Sequence, residues 1–202
     1  MGARTDTRRK MARTGARLFA AQGYEATPLM QVVDEAGASR GSIYFHFPGG
    51  KEELAIEALG LSTAKALTDA ATAIQASSST ADAVALTAAG LASSLEATQY
   101  TMGCPVATVA LETASTNEAL RAVCQEFLTK WQALYVGSLL RDGASPDRAE
   151  RLATLIVSVI EGGLLLARTS QNSQPLLDAG EEAAALLRAT FGSSTRTPRT
   201  GQ

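Results

Sequence analysis

Residues 39–46 bring together side chains that suit contacts to nucleic acid. The segment holds two hydroxyl groups, one guanidinium group and two aromatic rings that carry polar atoms: Ser39, Arg40, Ser42, Tyr44 and His46. Hydroxyl and guanidinium groups donate hydrogen bonds to base edges and phosphate oxygens, and an aromatic body can pack while its polar tip reaches a phosphate. These residue types favour a DNA contact, provided that the fold presents them on one surface.

The flanking sequence predicts two short helices joined by a tight turn, which would present that segment. The apolar residues at helical spacing before the turn are Leu29, Val32, Val33 and Ala36. Gly37 breaks the run, and Ser39 is predicted to N-cap a second helix that contains Ile43 and Phe47. This pattern indicates a helix-turn-helix, whose second helix places its first-turn side chains on base edges in the major groove and its flanking residues on phosphates.

A basic first helix is predicted over residues 4–22, with one face formed by Arg8, Arg9, Lys10, Arg13 and Arg17. Gly23 is predicted to end it, and Thr27 to cap a helix that starts at Pro28, beside amides that could meet a phosphate. Residues 1–51 carry eight Lys or Arg against four Asp or Glu, whereas residues 52–202 carry ten against sixteen. The basic end therefore holds the predicted helix-turn-helix, which supports a nucleic-acid partner.

The rest of the chain predicts six further helices, which gives an all-α protein of about nine helices. They are expected over residues 51–75, 82–102, 104–114, 117–141, 147–171 and 175–191. Residues 152–167 are apolar nearly all round, which indicates burial by more than one neighbour, and Gly162-Gly163 predicts a close backbone approach. Residues 193–202 are polar, and we expect them to be disordered.

Several other classes of protein are disfavoured. His46 is the only histidine, no glycine-rich phosphate loop is present, and no metal-ligand spacing occurs, so we expect neither an enzyme nor a metal or cofactor. The N-terminus lacks the apolar region of a signal peptide, and we predict no membrane-spanning run. Cys104 and Cys124 form no disulfide pattern, which predicts a cytoplasmic location.

Residues 13–59 resemble the TetR family of transcriptional repressors. From Ala16 onward this segment reads ARLFAAQGYEATPLMQVVDEAGASRGSIYFHFPGGKEELAIEAL. The resemblance implies a helix-turn-helix DNA-binding domain at residues 1–50 and a helical ligand-binding and dimerisation domain at residues 51–192. It implies that Arg40 and Ser42 contact bases, beside Ser39. The residues that it places on phosphates are Thr27, Tyr44, His46 and Lys51.

A particular branch of that family is suggested by Gly103-Cys104-Pro105-Val106-Ala107, Trp131 and Glu161-Gly162. These residues resemble the LmrA/YxaF-like repressors, which are released from DNA by aromatic or multi-ring small molecules. The resemblance and the composition together predict a mostly apolar pocket enclosed by the helices over residues 51–75, 82–102, 117–141 and 147–171. The residues predicted to bind its ligand are Leu95, Met102, Phe127, Trp131, Glu161 and Leu164.

Several of these residues have more than one reading. Trp131 is either a core residue or part of a ligand cage, and His46 is either a packed histidine or a phosphate contact. Glu161 lies in an apolar stretch and needs a partner, because a lone buried carboxylate is costly. In order of preference it is a structural hydrogen-bond acceptor, an interface contact with Arg168 of either subunit, or a ligand contact.

These observations predict a sequence-specific DNA-binding repressor that an apolar or aromatic small molecule releases from its operator. The alternative is a helical protein-interaction module, which would explain the apolar helices but not the basic first helix together with Arg40 and Tyr44. The apolar excess of the last two helices predicts a homodimer formed through them. A two-fold dimer would bind a pseudo-palindromic operator.

Overall fold

The computed structural model describes the backbone of residues 2–192 and the side chains from residue 6 onward. The predicted disordered tail, residues 193–202, lies outside this range. The described residues form helices and no strand: α1 Gly2–Gln22, α2 Leu29–Glu35, α3 Ser42–His46, α4 Gly50–Ala76, α5 Thr80–Ala97, α6 Pro105–Thr113, α7 Glu118–Arg141, α8 Pro146–Ser170 and α9 Gln174–Phe191. The all-α prediction is therefore confirmed.

A small core holds the first three helices together. Its fully buried members from α1, α2 and α3 include Met11, Val32, Val33 and Ile43, and Phe47 closes it after α3. Leu54 of α4 belongs to the same cluster. Since α4 has 27 residues, it extends for about 40 Å at the usual helical rise and leaves this core for the rest of the protein.

The larger core is built by α4 to α9, with Phe127, Trp131 and Tyr135 of α7 among its buried aromatic residues. Close helix contacts depend on glycine. A Cβ atom at Gly163 of α8 would lie 3.1 Å from the Cα atom of Leu176 in α9, which agrees with the close approach predicted there. The neighbouring Gly162 faces outward, with nothing within 4 Å of such an atom.

Helix α5 ends five residues earlier than the sequence suggests, at Ala97 rather than Met102. Gln99 and Tyr100 adopt the left-handed region, with φ of 50° and 57°, and the Tyr100 amide donates to the Leu95 carbonyl over 2.8 Å. This hydrogen bond closes the helix end, as left-handed terminal residues commonly do. Neither residue is a glycine or an asparagine, so the sequence carries no signal for the stop.

Two predicted helix caps are wrong. Helix α3 begins at Ser42 after Gly41, without a side-chain cap, and the carbonyl of Ser39 instead accepts hydrogen bonds from the amide and hydroxyl of Ser42. Helix α2 begins at Leu29, also without a side-chain cap. The hydroxyl of Thr27 donates backward to the Gly23 carbonyl over 2.6 Å, so it closes the preceding turn and does not cap α2.

Helix α8 is long and apolar enough, by length and composition, to cross a membrane. The sequence reading predicted no such segment. Its inner face is buried against the larger core through residues that include Leu152, Ile156 and Ile160. These core contacts account for part of its apolar character, since 44% of its most apolar stretch is buried.

Candidate nucleic-acid interface

Helix α3 divides its side chains between the small core and the surface. Ile43 and Phe47 are fully buried, whereas Tyr44 is 62% exposed and Phe45 is 57% exposed. Arg40 is exposed just before the helix, and Ser42 is half-buried in its first turn. The geometry thus gives α3 an outward edge with one guanidinium group and two aromatic rings. Phe45 was not predicted to be a surface residue, although its position between Tyr44 and His46 on a short helix indicates an outward direction.

His46 lies on the inner side of α3 and is only 9% exposed. Its ring meets Phe45 edge-on, with centroids 5.1 Å apart, and its backbone carbonyl accepts a hydrogen bond from Arg8. The packed reading of this histidine therefore fits the structure. The predicted phosphate contact does not, because His46 is almost completely covered by the protein.

Thr27 is fully buried, so its side chain does not reach the protein surface. Besides donating to Gly23, its hydroxyl accepts a hydrogen bond from the Gln22 side chain over 3.2 Å. The sequence predicted a phosphate contact here because it placed Thr27 at the helix start. In the structure, this hydroxyl stabilises the turn between α1 and α2.

Lys51 is half-buried in the first turn of α4, after Gly50 with its positive φ of 67°. Its ammonium group lies 4.3 Å from the centroid of the Tyr24 ring and 3.4 Å from the Glu25 carbonyl oxygen. Burial, together with nearby carboxylates, raises the pKa of Tyr24. An ammonium group has three donors, so Lys51 retains donors for a phosphate while it joins α4 to the α1–α2 turn.

Part of the basic face of α1 forms ion pairs within the protein. Arg8 donates to Glu57 over 2.6 Å and to Glu53 over 3.2 Å in α4, and its guanidinium carbon lies 4.5 Å from the Phe47 ring centroid. The hydrogen bond that Arg8 donates to Glu57 is the main cause of the raised pKa of Arg8. Arg17 pairs with Glu35 of α2. These ion pairs fix α1 against α2 and α4.

Two charged side chains connect the N-terminal helices to the larger body, a role that the sequence did not predict for either of them. Glu112 of α6 accepts hydrogen bonds from the amides of Tyr24 and Glu25, over 2.6 and 3.0 Å. Arg168 of α8 donates to the carbonyls of Ala21 and Thr101, over 2.6 and 3.1 Å. Both side chains bind backbone atoms near the end of α1, and backbone partners leave no pattern in the sequence.

Of the residues predicted to bind the ligand, Met102 and Phe127 line one described cavity, and the other four are not part of its lining. Leu95, Trp131 and Leu164 are buried in the larger core. Phe127 packs on Trp131 with ring centroids 5.5 Å apart. Phe127 and Met102 line a cavity of about 330 Å³, but its other walls come from α1, α4 and α6. The observed cavity therefore lies nearer the N-terminal helices than the predicted one.

Glu161 has Cys104 as its neighbour, and the thiol donates a hydrogen bond that partly offsets the upward pKa shift caused by burial. Its Oε1 atom is buried and has no hydrogen-bond partner among the described residues. Burial and the nearby carboxylate raise the pKa of Cys104 well above its ordinary value, so this thiol stays protonated. Arg168 binds the carbonyls of α1 instead, and the predicted contact with Glu161 is not formed within the chain.

An apolar strip remains exposed on α8 and α9. Its members on α8 include Leu155, Leu165 and Leu166, with Gly162 between them, and Leu186 lies on α9. Leu165 is 64% exposed. Gly162 lies seven residues after Leu155, and Leu165 and Leu166 lie three and four residues after Gly162, so these positions share one helix face. No group of three or more potential metal ligands occurs in the part of the chain that the structure describes.

An exposed helix edge on a basic three-helix unit, carried by a larger helical body, defines a helix-turn-helix protein of the regulatory class. Comparison with known proteins agrees. Residues 13–58 match the family of bacterial regulatory proteins called tetR, and residues 80–182 match the C-terminal domain of LmrA/YxaF-like transcriptional regulators.

Relatives and a solved structure extend this match over most of the chain. Two proteins of Bacillus subtilis (strain 168) are similar: the uncharacterized HTH-type transcriptional regulator YxaF is 40% identical over 93% of this chain and 98% of its own, and the HTH-type transcriptional regulator LmrA is 38% identical over 85% and 92%. A cysteine mutant of the TetR family regulator CifR, complexed with 26bp double-strand operator DNA, has a TM-score of 0.77 over 88% of this chain and 94% of that chain, at 22% identity.

The chain belongs to the TetR family of transcriptional regulators, with an LmrA/YxaF-like C-terminal domain. The predicted family, branch and fold are confirmed. The matched families and relatives are transcriptional regulators rather than enzymes, which also confirms the prediction that this protein is not an enzyme.

Proposed function

We propose that this protein is a cytoplasmic transcriptional repressor that binds a pseudo-palindromic operator as a homodimer and leaves it when a small apolar or aromatic molecule binds. The observation that carries the proposal is the outward edge of α3, where Arg40 and Tyr44 are exposed beside a half-buried Ser42. Membership of a family of DNA-binding regulators supports the same reading. We assign DNA binding to residues 1–50 and ligand binding and dimerisation to residues 51–192.

At the DNA, Arg40 and Ser42 are the proposed base contacts, because they precede or begin the helix that enters the major groove. A guanidinium group paired with a guanine edge contributes about 1–3 kcal/mol of discrimination between bases. Tyr44 and Lys51 are the proposed phosphate contacts, and Ser39 lies beside them on the exposed turn. Phosphate contacts position the protein without reading sequence.

The dimer is proposed to form through the exposed apolar strip of α8 and α9. A two-fold interface brings the same strip of both subunits together, and Gly162 leaves room for a close approach there because its outward side is empty. Such a dimer would present two copies of α3 to half-sites about 34–36 Å, or a multiple of this distance, apart.

Selection of duplexes from a random library by the full-length protein tests the function. The expected result is a sequence with two-fold symmetry, bound with an affinity that falls steeply as salt rises, because each neutralised phosphate releases counterions. Random duplex of equal length is the matched competitor. The absence of any selected sequence, together with salt-independent or undetectable duplex binding, would contradict a DNA-binding function and favour the interaction module that the exposed apolar strip also permits.

A further inference from the structure

The cavity that Met102 and Phe127 line lies at the junction between the N-terminal helices and the body. Its walls come from α1, from α4, from α6 with the segment before it, and from α7. The apolar part of this lining includes Ala16, Ala20, Ala66, Met102, Val106 and Phe127. A volume of about 330 Å³ falls at the lower end of the range for small-molecule sites, so it could hold a compact ring system.

Positive charge is concentrated in the same lining. Arg13 and Arg17 enter from α1 and Lys65 enters from α4, whereas no carboxylate lines the cavity among the described residues. Arg17 is paired with Glu35, and Lys65 with Asp69 one turn further along α4. Arg13 has no carboxylate partner in the described part of the chain. An unpaired guanidinium group beside an apolar cavity is suited to a ligand that is both apolar and anionic.

We propose that this cavity binds an amphipathic organic anion, such as an aromatic carboxylate or sulfonate. The apolar rings of the ligand rest on Met102, Val106 and Phe127, and its anionic group faces Arg13. A planar ring against Phe127 gains stacking and buried area, while the cation supplies orientation. The neutral part of the ligand agrees with the apolar or aromatic molecule proposed above, and the charge is the additional requirement that the cavity makes.

The location of the cavity gives this ligand a means of acting on the DNA-binding helices, an aspect that rests on the proposed function. One wall is α1, which carries the small core, and the opposite walls are α6 and α7 of the body. At its edge the Gly103 amide donates to the Ala20 carbonyl over 3.3 Å. A ligand wedged between these walls changes the spacing of α1 and α6. It releases the duplex to the extent that it prefers the displaced conformer.

Fluorescence titration with 8-anilinonaphthalene-1-sulfonate, an aromatic anion, tests the site. N-phenyl-1-naphthylamine, which lacks the sulfonate, is the neutral counterpart. Ala66→Phe places a ring in the cavity from an exposed position of α4, and Ala133→Phe is its control in the separate groove between α4 and α7. Arg13→Gln removes the unpaired cation, and Arg141→Gln removes one from that other groove.

We expect Ala66→Phe to weaken binding of the anion at least about tenfold by filling the apolar site. Arg13→Gln should weaken it about fivefold, as for an exposed ion pair, and should leave the neutral probe unchanged. Both controls should bind as the unaltered protein does. Equal binding of the anion by all five proteins, or an equal loss of anionic and neutral probe in Arg13→Gln, would overturn the proposal.

The same samples separate this inference from the proposed function. Binding to the selected duplex, measured by anisotropy with and without the anion, should weaken by about five- to 150-fold in the unaltered protein and stay constant in Ala66→Phe. If the selected duplex binds normally but Ala66→Phe leaves anion binding unchanged, the proposed ligand site is refuted and the proposed function is not. The expected pattern of anion binding in a protein that binds no duplex supports the cavity and refutes the proposed function.

Discussion

The protonation of Glu161 is shaped by its burial in the protein. Burial raises its pKa above the ordinary 4.5, and the Cys104 thiol offsets this only in part. The folded chain therefore holds a proton that the unfolded chain has released in the pH range just above 4.5. By linkage, the free energy of unfolding falls as the pH rises through this range, and the loss is complete above the folded-state pKa.

We predict that Glu161→Gln stabilises the protein at pH 7, because a neutral amide does not have the desolvation cost of the carboxylate. The gain should shrink as the pH falls to 4.5 and below, because the carboxyl group is then increasingly protonated in the unfolded chain as well as in the folded one. Urea unfolding at several pH values measures it. Glu150→Gln, at an exposed position of the same helix, is the control and should change little. A gain that does not vary with pH would contradict this electrostatic account.

For α3, the sequence predicted only part of the pattern of side-chain exposure. Helical spacing of Ile43 and Phe47 fixed which side of α3 faces the core, and so the outward direction of Tyr44 was predictable. Burial of His46 and Thr27 was not. His46 is covered where Arg8 crosses the end of α3, and the Thr27 hydroxyl turns to the Gly23 carbonyl. Such tertiary contacts decide accessibility, and residue type alone does not reveal them.

At the scale of elements, the contact between α5 and α9 depends on Gly180. A Cβ atom there would lie 2.5 Å from the Cβ atom of Ala88, closer than side chains approach one another. We predict that Gly180→Ala destabilises the fold by about 1–3 kcal/mol through overpacking. Ala88→Gly should restore part of that loss in the double variant, although glycine within a helix has its own cost. Urea denaturation of the single and double variants measures the coupling.

The control for this prediction is Gly90→Ala in α5, where an added Cβ meets nothing within 4 Å. It should raise or leave unchanged the free energy of unfolding, since alanine favours the helix. A purely additive double variant, with no recovery of stability, would mean that Gly180 is required for some reason other than its distance from Ala88.

The exposed strip of α8 supports a second prediction at this scale. Leu165→Glu should convert the proposed dimer to monomer, because a charge in an apolar interface is desolvated without a partner. Light scattering measures the mass. Leu111→Glu is the matched control, because Leu111 is 87% exposed on α6 and lies outside the strip. A dimer that survives Leu165→Glu, or a monomer in the unaltered protein, would place the interface elsewhere or remove it.

Helix positions were largely predictable from the sequence, since Gly, Pro and capping residues bracket most of them. Asn117 caps α7 as an N-terminal asparagine does, with its side chain accepting from the Leu120 amide over 2.9 Å. The end of α5 was not predictable, because Gln99 and Tyr100 adopt a left-handed conformation that their residue types rarely choose. The cavity was not predictable either, because α1 and α6 both form its walls and helical periodicity does not show which helices contact one another.

At the scale of the whole molecule, two cores are joined by a continuous helix and by the hydrogen bonds of two charged side chains. Helix α4 contributes Leu54 to the small core and Ala58 to the large one, while Glu112 and Arg168 hold the end of α1. A shift of α6 or α8 therefore acts directly on α1. In a dimer with two DNA-binding units, such a shift would alter the separation of the two α3 helices and weaken their fit to successive grooves.

The proposed reading of a DNA sequence by the outward edge of α3 is tested by Arg40→Ala. The measurement is the affinity for the selected duplex and for random duplex at matched salt, with Lys51→Ala in parallel. We expect Arg40→Ala to lose about 1–3 kcal/mol on the selected duplex and far less on random duplex, whereas Lys51→Ala should weaken both alike and flatten the salt dependence. Equal losses of Arg40→Ala on the two duplexes would contradict the base-reading role of this edge.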